Sequence, residues 1–375
     1  MLRTPPDPRA VEHAEADVLP DAPPLTAPPP PSERASEEAR IRHARRRVVV
    51  VGAGAMGRHH VRTFSRLAAS FDVVGVVDVE AEAAERVGAE FRVRPLALRA
   101  LRGALRAKDV VVIASPIEAH VEGALLALAS GCDVFVEKPL ASTAREAWAL
   151  VDEARRTGGR LFVGHVERFN PVVRALARRL PCETPRELTF RRVGPASPRS
   201  AGHGVLTNLA VHDFDLAAHL LGGAPRLVHA ASGKGPSDSR GEDWTKVMLS
   251  CPMRADEADA VVTIWADRLS PTRERSLRIV TDRAVYEADL LARTLRMKAH
   301  GADVLSVDVA PADALQAQAE ALAQALLGGT TPLASGEDGM HAVELADEAR
   351  RAAASEPRGG RVRRRAAEGG DQDRG

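Results

Sequence analysis

The chain has 375 residues, with 52 Lys and Arg against 51 Asp and Glu, 12 His and 3 Cys. That length suggests about two domains, and a net charge of +1 gives no footing for nucleic acid or a membrane surface as general partners. Cys132, Cys182 and Cys251 are too scattered for a disulfide framework or a zinc ribbon, so the compartment expected is the reducing cytosol. No apolar run reaches the roughly 20 residues of a membrane span, and the start Met1-Leu2-Arg3-Thr4-Pro5-Pro6 lacks the apolar stretch of a signal peptide. Aromatics are only 3% of the residues, so the core must be built from Ala, Val and Leu. Lysines are scarcer still: Lys108, Lys138, Lys234, Lys246 and Lys298 are the only ones.

In chain order, ten of the 25 prolines fall in the first 31 residues, and 1–44 is expected to be a disordered tail. The folded body starts at Val48-Val49-Val50-Val51, a run that fits a strand buried on both faces. Gly52-Ala53-Gly54-Ala55-Met56-Gly57 follows, then a helical pattern to about Ala69. A second strand, Val73 to Val77, ends at Asp78, and helices are expected from Glu80 to Gly88 and from Leu96 to Arg106. Asp109–Ala114 reads as a strand, Ile117–Ser130 as a helix, Asp133–Val136 as a strand, Thr143–Thr157 as a helix and Leu161–Gly164 as a strand. This alternation predicts an α/β domain over 45–165, a doubly wound parallel sheet of Rossmann type. From 166 to 355 the rhythm changes. Strands are expected at Glu187–Val193, Arg226–Ala231, Trp244–Leu249, Asp259–Ala266, Ser276–Thr281 and Ala284–Ala288, with helices at Val205–Leu221, Ala312–Leu327 and Glu337–Ala354. That pattern predicts an α+β domain with a largely antiparallel, open sheet. The Gly- and Arg-rich end, 356–375, reads as a second disordered tail, and its run Arg361-Val362-Arg363-Arg364-Arg365 as a solvated basic stretch.

The glycine pattern sits where a dinucleotide needs it. Gly52 permits the tight turn, Gly54 lets a pyrophosphate approach the backbone, and Gly57 allows close helix–strand packing. Asp78, at the end of the second strand, is placed to accept from both ribose hydroxyls and to repel a 2′-phosphate, which points to NAD. Later strand ends should border the cofactor as well: Ser115-Pro116, and Glu137-Lys138-Pro139. His120, on the following helix, lies near it or on the surface. In a chain that nearly always uses Arg, Lys138 at a strand end suggests a site that needs a compact, tunable cation.

Asn208 and His212 are four apart on one predicted helix. An imidazole there is suited to take an alcohol proton as hydride leaves carbon, with Lys138 stabilising the alkoxide. A rival reading uses His212, Asp215 and His219 as metal ligands, but the outside ligands it needs are not displayed. Gly164-His165-Val166-Glu167-Arg168-Phe169-Asn170 lies at the domain junction, where polar groups face a substrate. Arg168 there either binds an anion or forms a structural pair, and Arg192 adds a cation for an anionic substrate.

Together, Gly-x-Gly-x-Met-Gly-x-x-His, Glu-Lys-Pro and the helix carrying His212 resemble the glucose–fructose oxidoreductase, inositol dehydrogenase and rhizopine-catabolism (Gfo/Idh/MocA) family. The resemblance covers about 46–355. It implies NAD(P)-dependent hydride transfer, Lys138 and His212 over the nicotinamide, and His60 as the histidine after the glycines. It also implies a homo-oligomer, dimer or tetramer, through the second sheet. The stretches around 164–171, 191–195 and 204–215 are similar to a branch that oxidises the 3-hydroxyl of UDP-N-acetylglucosamine or its uronate. Many members carry Asp where this chain has Asn208, and a neutral amide does not raise the histidine pKa as a carboxylate does. The alternatives are a family oxidoreductase acting on an inositol or free sugar, and an NAD(P)-binding regulator, against which Lys138 and His212 both argue.

Overall fold

The computed structural model describes residues 45–196, 202–236, 240–253 and 258–355; the expected tails, with Arg361–Arg365, lie outside them. β1 (Arg46–Val51) carries Val48, Val49 and Val50 at 0% exposure, as a strand covered on both faces must. It pairs in parallel with β2 (Phe71–Asp78), which pairs with β3 (Pro95–Ala97). On its other side come β4 (Val110–Ile113), β5 (Asp133–Glu137) and β6 (Leu161–Gly164), all parallel. The order 3-2-1-4-5-6 reverses between β1 and β4, and that reversal opens a crevice at the carboxyl ends of the strands. Helices α1 (Ala55–Arg66), α2 (Ala81–Phe91), α3 (His120–Ala129) and α4 (Ala144–Thr157) make the crossovers. The expected helix Leu96–Arg106 is instead β3, a 3-10 turn and one helical turn. Leu96 packs over Gly75, whose missing side chain makes room for it, and Pro95 suits an edge strand.

The second sheet has eight strands. They are β7 (Pro185–Pro195), β8 (Arg226–Gly233), β9 (Trp244–Cys251), β10 (Ala260–Asp267), β11 (Leu269–Thr281), β12 (Ala284–Asp289), β13 (Thr294–Ala299) and β14 (Val304–Val307). Their order is 14-13-12-11-7-10-9-8, antiparallel except for the β7–β10 pair. One face buries Leu188, Phe190, Ile264, Leu277 and Ile279 against α5 (Pro171–Arg179) and α6 (Val211–Leu221). The other face is open, and there Trp265 lies between Arg191, 4.1 Å from its ring, and Lys246, 4.7 Å from it. The sequence reading missed α5, β13 and β14. The signal for α5 was Asn170-Pro171: the Asn170 side chain accepts from Val172 N at 3.1 Å, with Pro171 at the first helical position.

The end of the chain corrects the expectation that 166–355 forms one separate domain. Ala319, Leu322 and Leu326 of α7 (Ala314–Leu326) pack with Val48, Phe64 and Phe135 of the first domain. β15 (Ala334–Ser335) then adds an antiparallel seventh strand to β6. α8 (Gly336–Ser355) starts in the first core through Met340 and Val343 and ends in the second through Leu345 and Ala349. Among the described residues, no helix is long and apolar enough to cross a membrane.

Candidate active site

The glycine turn is built as tightly as its sequence implies. Gly52 adopts φ +102°, and a Cβ there would sit 2.5 Å from the Ala114 carbonyl oxygen. At Gly57 a Cβ would fall 1.7 Å from Gly52 O, so α1 touches the turn backbone to backbone. Gly54, just before α1, has nothing within 4 Å of that position. The open flank lies where backbone N–H groups at a helix start attract an anion, which fits a pyrophosphate. Asp78 fastens the same turn: Oδ2 accepts from Ala53 N at 2.6 Å and Oδ1 from Glu80 N at 3.0 Å. Each oxygen keeps a lone pair for a ribose hydroxyl. Substituting Asp78→Asn is therefore expected to raise KM for NAD about tenfold and to narrow the preference for NAD over NADP. Kinetics with both dinucleotides check this, and an unchanged preference would remove Asp78 from ribose recognition.

A cavity of about 390 Å³ continues from Met56 along the ends of β4, β5 and β6. Its lining includes Ser115, Pro116, His120, Glu137, Lys138 and Asn208. The Ser115 hydroxyl is buried without a hydrogen-bond partner, a polar group available to a ligand. His120, expected near the cofactor or on the surface, is buried in the cavity wall and bound to the loops around it. Its Nδ1 lies 3.0 Å from the Pro139 carbonyl and its Nε2 3.0 Å from the Ser115 carbonyl. It thus joins the two strand-end turns, and burial pushes its pKa down while both carbonyls oppose that shift. His60 is likewise not free for substrate: at 3% exposure its Nε2 meets Glu137 Oε1 at 2.7 Å, beside Phe64 and Phe135. Glu137 Oε2 accepts from Lys138 N at 3.2 Å. Burial raises the Glu137 pKa, but His60 and Lys138 outweigh it and the net shift is downward. The Lys138–Pro139 peptide is cis.

Lys138 reaches across to the second domain. Its Nζ donates to the Asn208 carbonyl at 3.1 Å. Burial is the largest influence on this ammonium, Glu137 opposes it, Arg192 and Arg275 add to it, and the pKa falls to about 8. Asn208 sits in a π-helical segment, Leu206–Ala210, that precedes α6. Val211 N–H there reaches back five residues to Leu206 O, where the sequence suggested one continuous α-helix. Single π turns of this kind cluster at functional sites. His212 follows, its Nδ1 buried and without a partner. Its pKa lies well below 6.5, first through burial and then through Lys138, Arg192, His165 and Arg275, so the ring is neutral at neutral pH. His165 is 1% exposed, with neither ring nitrogen hydrogen-bonded and Nδ1 3.7 Å from Asp215 Oδ2.

Three other expected substrate contacts are corrected by their partners. Arg168 donates to Asp215 through Nε and Nη2, at 2.9 and 2.6 Å, and through Nη1 to Pro332 O at 3.3 Å. It is the structural pair, and it also removes Asp215 from any shared ligand set with His212 and His219. Asn170 caps α5 and donates to Glu167 and to Leu290 O. Arg192 is 3% exposed, bound to Asp213 at 2.8 Å and to Glu167 at 3.2 Å. These contacts tie the junction turn, β7 and α6 together. The sequence reading passed over Glu167, Asp213 and Arg275, whose ion pairs join residues 21 to 108 apart.

Known proteins resemble this chain in both halves. Residues 46–165 match the oxidoreductase family with an NAD-binding Rossmann fold, and 186–287 match the GFO/IDH/MocA C-terminal domain. UDP-N-acetylglucosamine 3-dehydrogenase of Acidithiobacillus ferrooxidans is 29% identical over 309 residues, 80% of this chain and 95% of that protein. A solved structure of that enzyme superposes with a TM-score of 0.73 at 28% identity, covering 82% of this chain and 97% of that one. Inositol 2-dehydrogenase 2 of Paenarthrobacter aurescens is 30% identical over 322 residues, 80% of this chain and 93% of that protein. GenD2 from gentamicin A biosynthesis, solved in complex with NAD, shares the fold at 23% identity, with a TM-score of 0.69 over 83% of this chain and 95% of that one.

Proposed function

Since the chain belongs to the GFO/IDH/MocA family of NAD-dependent oxidoreductases, we propose that it oxidises the 3-hydroxyl of a nucleotide sugar, UDP-N-acetylglucosamine or its uronate, to the ketone. One arrangement carries this reading. Lys138 from the end of β5 meets the Asn208 carbonyl from the second domain beside the cavity that continues from Met56 in the glycine turn, and His212 follows on α6. The Gly52–Gly57 turn, Asp78 and Ser115 hold NAD, which supplies the hydride acceptor when bound. His212, neutral and with an unused ring nitrogen, takes the hydroxyl proton. Lys138 Nζ donates to the same oxygen and stabilises the alkoxide as it develops. Its bond to the Asn208 carbonyl fixes where that donor stands. The choice of a nucleotide sugar is supported by the likeness to the Acidithiobacillus enzyme along nearly its whole length.

The Paenarthrobacter relative supports a second reading, oxidation of a cyclic polyol. A substrate panel separates the two. NADH formation from UDP-N-acetylglucosamine or its uronate, and little from myo-inositol, is the expected result. Turnover of myo-inositol with none of either nucleotide sugar would replace the first reading by the second.

A further inference from the structure

Residue 275 is an arginine where a sheet disfavours one. It stands directly opposite Arg192 across β11 and β7, and like charges so placed repel. Glu167 eases the conflict through a single oxygen, Oε1, which accepts from Arg192 Nη1 at 3.2 Å and from Arg275 Nη1 at 3.1 Å. Asp213 then binds the other edge of Arg192 through Nε and Nη2. Arg275 has no second partner of that kind among the described residues. Its contact with Glu167 uses one of its five donors, and the side chain is 35% exposed. Leu277 and Ile279, on the same face of β11, are buried in the core, so the strand is leaving that core as it reaches Arg275.

The guanidinium also stands beside the reacting groups: Glu167, which it binds, follows Val166 of the cavity lining, and Arg192, opposite it, is held by Asp213, the residue after His212. The nearby carboxylates, Glu137, Glu167 and Asp213, are buried and already accept hydrogen bonds. Residue 208, whose carbonyl holds Lys138, is a neutral amide. What remains at Arg275 is a part-exposed guanidinium that shares one carboxylate oxygen with Arg192 and keeps its other donors.

We infer that Arg275 determines specificity by binding a carboxylate on the sugar ring being oxidised, so that the uronate is preferred to its neutral parent. This rests on the sugar-oxidation reading above. The fork of N–H donors matches the two oxygens of a carboxylate. The anion belongs to the reacting ring, because one shared carboxylate and Arg192 separate Arg275 from Asp213, next to His212 on α6; the diphosphate lies further along the substrate.

The test compares wild type, Arg275→Gln and Arg275→Lys as full-length proteins with cofactor. With UDP-N-acetylglucosaminuronate, Arg275→Gln is expected to raise KM about ten- to a hundredfold. With UDP-N-acetylglucosamine KM rises at least about fivefold less, and Arg275→Lys, which keeps the charge but not the fork, falls between. Equal losses on both substrates, or none, overturn the inference. A second measurement needs no turnover: binding of glucuronate and of glucose to the NADH-loaded protein, read by nicotinamide fluorescence. If glucuronate binding depends on Arg275 while neither nucleotide sugar is oxidised, the functional reading fails and the subsite stands. If wild type does not favour glucuronate over glucose, or if Arg275→Lys binds glucuronate as wild type does, the subsite fails whatever the enzyme oxidises. Removing one of two opposed cations should leave the melting temperature unchanged. Should Arg275→Gln still fail to fold, the Arg275→Lys comparison decides.

Discussion

Substituting His212→Gln is expected to lower kcat about a thousandfold, the usual scale for removing a general acid–base group. NADH affinity should stay within about twofold of wild type, because the glycine turn and Asp78, which are expected to hold the dinucleotide, are elsewhere. The glutamine amide fills the space and offers hydrogen bonds but takes no proton. Three features motivate the prediction: a ring neutral at neutral pH, an unused Nδ1, and cationic neighbours that would make any proton it accepts leave quickly. Single-turnover mixing with bound NAD checks it. If NADH forms at the wild-type rate, His212 is not the base. If NADH affinity falls in step with kcat, the ring has a structural role instead.

The second large effect belongs to Lys138. Lys138→Met removes the donor from the reacting oxygen and is expected to cost about a hundredfold or more in kcat. Its pH signature is more diagnostic. In the proposed mechanism Lys138 works only as the ammonium, and burial has brought its pKa down to about 8. His212 is proposed to work only as the neutral ring, and its pKa lies well below 6.5. In wild type, kcat/KM should therefore climb through a low acidic limb, level off around neutrality, and fall again through pH about 8 as Lys138 loses its proton. The alkaline limb should vanish in Lys138→Met. Were it to persist there, some other group would own it. An alkaline limb near pH 10, the range of an ordinary lysine, would show that burial does not tune this ammonium.

How far the site was legible depended on how local each cause is. The glycine turn, Asp78 and the strand ending in Lys138 could be read because short runs dictate them: Val48–Val51 demands burial, and Gly52 and Gly57 leave no room for a side chain. Arg168 and Asn170 read as substrate contacts because they are polar and at the junction, Arg192 because it is a cation, and His60 because it is the histidine after the glycines. Whether such a group is free depends on partners far along the chain, such as Asp215 for Arg168, 47 residues on, or Glu137 for His60, 77 on. The π segment at Leu206–Ala210 had no signal at all, since its residues fit an α-helix equally well. Arg275 was invisible for a related reason. Its interest lies in the residue opposite, and strand pairing is not written in the periodicity of either strand.

The return of the chain to its first sheet governs the order in which the molecule can be completed. During synthesis the strands that shape the nucleotide crevice leave the ribosome first. The apolar surface made by Val48, Phe64 and Phe135 then waits for Leu322 and Leu326, and the β6 edge waits for Ala334 and Ser335. Until then that half carries an exposed apolar face and an unpaired strand edge, the two features that invite wrong association. The nascent first domain is thus the vulnerable species, and the last helices finish it. A nonsense codon near residue 310 would cost the dinucleotide-binding half its cover as well as shortening the other.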